Sequence, residues 1–474
     1  MPLEAAPGAP VAGTTPCFRP FDAGYDAKLL PKPQLEAMVV DTFRSFNLVG
    51  SGSPFNISTE ALAHFVAELR SMYNDRLDFH NFHHAFTVFA VTAEIVREVL
   101  AAAPGGAQHQ HPPLRPIHVL AILLAALCHD VDHPGLSNAF LNSTRAPPPS
   151  SSSGDTAAAA GGPHPLAVRY GDATASVVEA HHVELTTRLL SAEGGGEWPR
   201  AAAAAAATTT AGATVATSGA PPSPSEGLLN CMKGLDAAYT MELVTHAVMG
   251  TDLAVHKQLS EKLQMLGEVL GLSRAGAGGS EQTPAETPAP SEETAEELAA
   301  RVKATVGEDF HHVVVQAVMH AADLSNPTMH FDTCAAWSLR LTAEFAAQAR
   351  READWKEGTA REETAAAGTA TGSGGGYAAG GVGGGGGGGS AGGGGVGGDG
   401  GVGAAATGED CSARVAHLRE KLKPIAKGET WFVENMILPY WTRFAEVYPP
   451  LQHHVARIRE TLDTYAAIAA EHAA

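Results

Sequence analysis

The chain has 474 residues and a formal charge of −20, with ordinary hydrophobic content, few aromatics and abundant glycine. That length suits one large domain or two ordinary ones, with much of the glycine lying outside any core. The acidity argues against nucleic acid as a partner, which needs clustered Lys and Arg, but a small phosphate substrate met by metal ions remains open. Residues 1–17 open the chain without the basic start and apolar centre of a secretory signal, and they read as a disordered segment. No later run approaches the apolar length of a membrane-spanning helix. The five cysteines, Cys17, Cys128, Cys231, Cys334 and Cys411, are scattered and odd in number. They speak against a disulfide framework and for a reducing, cytoplasmic setting.

Residues 18–474 read as one domain interrupted by five stretches rich in Gly, Pro, Ala, Ser or Thr. These are 104–115, 145–165, 191–227, 273–290 and 365–408. Such compositions bury too little apolar area to offset ordering entropy, so disorder is expected there. Between them the apolar period is helical. Ile117, Leu120, Leu123, Leu124 and Leu127 share a face, as do Val314, Val315, Val318 and Met319. Near the end, Val455, Ile458, Leu462, Tyr465 and Ile468 recur at three and four. The predicted fold is all-α, a multi-helix domain with long insertions.

Four short stretches carry metal-ligand side chains: Phe79–Ala85 (FHNFHHA), Cys128–Gly135 (CHDVDHPG), Val177–His182 (VVEAHH) and Met319–Pro327 (MHAADLSNP). His80 and His84 are four apart, so a helix would set them on one face, with Asn81 near its start. His129 and Asp130 end a strongly apolar helix, and Pro134 and Gly135 stop it. A carboxylate there is costly unless it is paired or ligates a metal. Asp323 closes another apolar helix, where the negative end of the helix dipole disfavours it and a nearby cation would offset that. Imidazoles and carboxylates together suit Zn²⁺, and a carboxylate can bridge to a second, more hydrated ion such as Mg²⁺. Two such ions can activate a bridging hydroxide and neutralise phosphoryl oxygens. A proton donor for the leaving alkoxide completes this chemistry, and His80 is the spare imidazole.

With these stretches in this order, the chain resembles the class I 3′,5′-cyclic nucleotide phosphodiesterases, within the wider HD-domain hydrolase superfamily. HNxxHA appears from His80 to Ala85, HDxDHPGxxN from His129 to Asn138, and ExHH at Glu179, His181 and His182. TD appears at Thr251-Asp252, before His256. HxADLSNP runs from His320 to Pro327, and the closing FxxxxxxPxW lies at Phe432, Pro439 and Trp441. The resemblance implies a soluble intracellular hydrolase of cyclic AMP, cyclic GMP or both, and it admits a homodimer. It implies that His84, His129, Asp130 and Asp323 hold Zn²⁺. Asp130 would also bridge to Mg²⁺, or Mn²⁺, whose waters contact Glu179, His182 and Asp252 beside Thr251. His80 would protonate the 3′ oxygen, oriented by Glu344. His133 and Asn138 would help hold the phosphate, and the base would sit between Phe432 and Leu341 near Asn326.

Several positions depart from the family pattern. Its usual base-reading Gln falls on Glu429, which when ionised accepts hydrogen bonds but cannot donate, and this leans the reading towards cyclic GMP. The Tyr before His80 is Phe79, the Asn of YND is Gly171, and two extra residues precede Glu179. The loop after the fourth stretch is replaced by the glycine-rich run, which predicts a more open pocket. Two other readings stay open: a non-catalytic nucleotide sensor or scaffold of the same fold, and an HD-type hydrolase of another phosphate ester.

Overall fold

A computed structural model describes residues 20–22, 25–101, 112–145, 163–191, 227–272, 295–370 and 417–473. The segment 1–17 and most of the five low-complexity stretches lie outside the described residues. Their edges are narrower than the composition suggested. Arg115 caps a helix whose N3 residue, His118, accepts from the Arg115 main-chain N–H. His164 accepts from Leu166 N–H at the start of another. Capping residues and first-turn prolines have the composition of linkers, which is why sequence places them there. At the far edge, a helix runs on through Ala370 because its last turns are alanine-rich.

Among the described residues the fold is helical, without strands. The helices in chain order are α1 (Lys32–Ser45), α2 (Thr59–Met72), α3 (Phe82–Ala101), α4 (Pro116–Cys128), α5 (Asn138–Ser143), α6 (Pro165–Tyr170), α7 (Val177–Leu190), α8 (Gly234–Met249) and α9 (His256–Val269). They continue with α10 (Ala295–Val306), α11 (Phe310–Asp323), α12 (Phe331–Ala370), α13 (Ala426–Phe432), α14 (Leu438–Val447) and α15 (Gln452–Ala473). No described helix is long and apolar enough to cross a membrane.

Helix α4 is the centre. Every residue from His118 to Cys128 is buried, so the helix is apolar all round rather than on one face. It packs against α3, α8 and α11. Each fully buried leucine there contributes about 2–3 kcal/mol. A buried helix end must also satisfy its last carbonyls. Here Ala126 O accepts from His129 Nδ1, Leu127 O from Tyr73 Oη, and Cys128 O from Val131 N.

The C-terminal helices form a second wall, with α15 packed on α13 and α14, and α14 on α9. One turn of π-helix, Val433–Ile437, joins α13 to α14 just before Pro439. A proline ring clashes with the carbonyl four residues back, and the widened turn absorbs that clash.

After α4 the chain reverses sharply. Asp132 has φ +56° and Gly135 φ +66°, the left-handed region that glycine adopts freely. His181 Nε2 lies 2.9 Å from Asp132 Oδ2 and holds that strained residue. A Cβ on Gly135 would lie 2.5 Å from Leu77 Cδ2. Gly135→Ala should therefore cost roughly 1–3 kcal/mol in chemical denaturation. Gly234→Ala, at an ordinary φ with open space around it, should cost nothing.

Candidate active site

The reversal after α4 and the ends of α7 and α11 meet in a cleft of about 460 Å³. Its lining includes His80, Asp130, His133, Asn138, Glu179, Thr251, Asp252, Asp323, Asn326, Leu341, Glu344, Glu429 and Phe432. His84, His129 and His182 lie behind its floor, all three buried.

Asp130 is the junction. Its Oδ2 lies 3.2 Å from His129 Nε2 and 3.4 Å from His84 Nε2, while its Oδ1 lies 3.7 Å from His182 Nε2. Asp323 Oδ1 closes the first group, 3.2 Å from His84 Nε2 and 3.5 Å from His129 Nε2. Two of these imidazoles are oriented from behind. His129 Nδ1 donates to Ala126 O and His182 Nδ1 to Val131 O, at 3.0 and 2.7 Å. That leaves each Nε2 as the lone-pair nitrogen facing Asp130. His129 Nε2, His182 Nε2 and Asp130 Oδ2 are buried without a hydrogen-bond partner. Buried polar atoms rarely stay unpaired, so this convergence fits divalent cations.

The electrostatics agree. Burial alone would lower the His129 pKa, but the Asp130 and Asp323 carboxylates hold it well above its ordinary value. Burial opposes ionisation of Asp130, yet His129 and His80 hold its pKa well below the usual carboxylate range. The carboxylates demand positive charge, and without a cation a shared proton must supply it.

A second carboxylate group stands beside His182. Asn138 Nδ2 donates to Glu179 Oε2 at 2.7 Å, and Asn138 Oδ1 accepts from Val178 N at 2.9 Å. Asp252 accepts from Ser176 Oγ at 2.6 Å and from Ala254 N at 2.8 Å. Asn138 therefore lines the cleft with its amide already engaged in holding these acids. His320 donates through Nδ1 to Gly250 O at 2.8 Å, and its Nε2 lies 2.8 Å from His256 Nδ1, which fixes the approach to Thr251.

His80 is not on a helix with His84. Asn81 caps α3, accepting from His83 N at 3.0 Å, so α3 begins only at Phe82. The pair still meets, with ring centroids 5.9 Å apart. Buried Glu344 of α12 fixes His80, its Oε2 accepting from Phe79 N and His80 N and its Oε1 lying 2.5 Å from His80 Nδ1. The other face of His80 stacks on His133 at 3.9 Å. Burial would lower the His80 pKa, but Asp130 and Glu344 raise it. His133 accepts from Gly135 N through Nδ1, and burial beside His80 keeps its pKa low. Phe79 packs on His84 and Trp337.

At the far wall Ser338 Oγ donates to Glu429 Oε2 at 3.1 Å, and Tyr465 Oη lies 2.9 Å from Ser338 Oγ. Sequence reasoning missed Ser338, Ser176 and Gln348. Ser338 could have been found, being three residues before Leu341 on one face of α12.

The profile of the 3′5′-cyclic nucleotide phosphodiesterase family matches residues 79–150 and 213–361. The chain carries a class I 3′,5′-cyclic nucleotide phosphodiesterase domain. A 3′,5′-cyclic-AMP phosphodiesterase 4C of Mus musculus is 24% identical over 333 residues, covering 69% of this chain and 35% of the mouse protein. A cGMP-specific 3′,5′-cyclic phosphodiesterase of Drosophila virilis is 29% identical over 156 residues, 33% of this chain and 11% of that one. The chain thus spans about a third of the mouse relative's length. The phosphodiesterase domain of the RhoPDE fusion protein from the choanoflagellate Salpingoeca rosetta shares the fold. Its TM-score is 0.56 at 20% identity, over 95% of this chain and 96% of that one. The family implies use of divalent metal, and the His84, His129 and Asp130 cluster of this phosphodiesterase domain can hold it.

Burial beside Asp252 raises the Glu179 pKa from 4.5 to about 7. An unfolded carboxyl ionises near its ordinary value, whereas the folded one keeps its proton longer. The metal-free protein therefore loses stability as pH rises from about 4.5 to about 7, and the loss persists above. Glu179→Gln removes that charge. It should gain on the order of 2 kcal/mol at pH 8 and almost nothing near pH 4 in metal-free denaturation. An equal change at both pH values would refute this electrostatic account.

Proposed function

We propose that this protein hydrolyses 3′,5′-cyclic nucleotides to 5′-monophosphates. The observation that carries the reading is the convergence of unpartnered His129 Nε2, His182 Nε2 and Asp130 Oδ2 at the floor of a nucleotide-sized cleft. His84, His129, Asp130 and Asp323 would hold Zn²⁺. Asp130, with His182, Glu179 and Asp252 near it, would also help hold Mg²⁺ or Mn²⁺. Bound there, the cations would supply positive charge to the phosphoryl oxygens and acidify the attacking water.

The chain's own residues manage the protons. Glu344 takes the Nδ1–H of His80, so the other ring nitrogen is the one able to donate into the cleft. The neighbouring Asp130 and Glu344 carboxylates raise the His80 pKa against its burial, which favours the protonated ring. As the water oxygen bonds to phosphorus it gives one proton up to solvent, the P–O3′ bond breaks, and the 3′ oxygen takes the His80 proton, which solvent then restores. His133, kept neutral with Nδ1 accepting from Gly135, presents its remaining N–H to a phosphoryl oxygen. Phe432 and Leu341 would clamp the base near Asn326.

His80→Ala should lower kcat by roughly 10²–10⁴-fold with the metal content unchanged. Undiminished turnover would remove His80 from the acid role. A folded, metal-loaded wild type that binds cyclic nucleotide without hydrolysing it would establish the sensor reading instead.

Glu429 supports a preference for cyclic GMP. Ser338 occupies its Oε2, so its carboxylate stands as an acceptor suited to the N1–H and amino group of guanine. Glu429→Gln, which adds a donor, should shift the kcat/KM ratio towards cyclic AMP by about tenfold or more. A wild type that favours cyclic AMP, with a ratio unmoved by the substitution, would end the idea.

A further inference from the structure

A separate group of ligand side chains converges where α8 passes the start of α11. Glu242 and His246 are four residues apart on α8, so one face of that helix presents both. His312 comes from the first turn of α11. One ligand atom from each lies within 4.8 Å of the others. His312 Nε2 is 3.0 Å from Glu242 Oε1, and the His246 and His312 rings are 4.6 Å apart.

The orientation of His246 resembles that of the cleft imidazoles. His246 Nδ1 donates to Glu242 O at 2.9 Å, which leaves its Nε2 as the lone-pair nitrogen. Asp309 Oδ2 stands 3.8 Å from His312 Nδ1, on the opposite side of the ring from Glu242. That distance is too long for a hydrogen bond, but the negative charge favours a proton on Nδ1 and leaves Nε2 as the ligand atom. His312 is buried and Glu242 is exposed. The site is thus anchored on one side and open to water on the other.

We propose that Glu242, His246 and His312 form a zinc site, distinct from the cleft, that clips α8 to α11. Two imidazoles, one carboxylate and a water complete the tetrahedral set that Zn²⁺ favours. The clip joins the two helices that lead into the cleft acids. Four residues past His246, Gly250 holds His320, and Thr251 and Asp252 follow. Helix α11 ends at Asp323. Zinc at this site therefore fixes the relative position of the elements presenting Asp252 and Asp323.

The test is a zinc count on the full chain. Protein stripped with chelator is reloaded at a fixed free zinc concentration, gel-filtered and analysed by plasma mass spectrometry. His246→Ala should hold one equivalent fewer than wild type. Glu242→Gln, an exposed and isosteric change, should need at least tenfold more free zinc to fill the same equivalent. In cobalt-loaded protein, His246→Ala should lose part of the tetrahedral visible absorption while the cleft's share persists. Equal zinc counts in wild type and both variants, with circular dichroism showing all three folded, would overturn the site.

Discussion

A carboxylate stands at the end of a helix buried on every side, and the rest of the site is arranged around that fact. Asp130 lies two residues past the end of α4, at the negative end of its dipole, in a place where an isolated charge costs on the order of several kcal/mol. Three imidazoles and Asp323 surround it within 3.2 to 3.7 Å, or abut the same imidazoles. Only positive charge makes that arrangement favourable. Without cations protons provide it, which is why His129 is held above its ordinary value and Asp130 below. Removing one partner would leave the others buried and unpaired, so these residues act as a unit.

The fold and the chemistry share hydrogen bonds. The bond from His129 Nδ1 that satisfies Ala126 O near the end of α4 also turns His129 Nε2 towards Asp130, and Val131 O, in the reversal that follows, does the same for His182. One carboxylate, Glu344, accepts from two main-chain N–H groups and pairs with the His80 ring, tying the start of α3 to α12. On α12 itself, Ser338, Leu341, Glu344, Phe345 and Gln348 recur at helical spacing and all line the cleft. A single helix thereby sets Ser338, Leu341, Glu344 and Gln348 along the cleft in one register.

Much of this was legible in the sequence, because it depends on short-range patterns. A helix-period apolar run ending in His129-Asp130, then Pro134-Gly135, states both the helix and its stop. The same pattern repeated before Asp323 gave the second carboxylate, and the residues expected to hold metal or substrate line the cleft or lie buried behind its floor, while His181 and His256 support neighbouring residues instead. What was not legible depends on long-range contact. Nothing local tells that Ser338 meets Glu429, ninety-one residues away, or that Ser176 meets Asp252. Local capping misled in one place: the four-residue spacing of His80 and His84 suggests one helix face, yet Asn81 starts the helix after His80. The zinc set on α8 and α11 was also invisible, since Glu242 and His246 gain meaning only when His312 arrives from another helix.

Asp130 faces His84 and His129 with one oxygen and His182 with the other, and the proposed function needs a cation on each side. Anomalous diffraction from crystals equilibrated with Zn²⁺ and Mn²⁺ tests it most directly. Two peaks are expected, one among His84, His129, Asp130 and Asp323, the other on the His182 and Asp252 side of Asp130. A cleft with no peak, or with a single peak that Asp130 does not contact, would contradict the account.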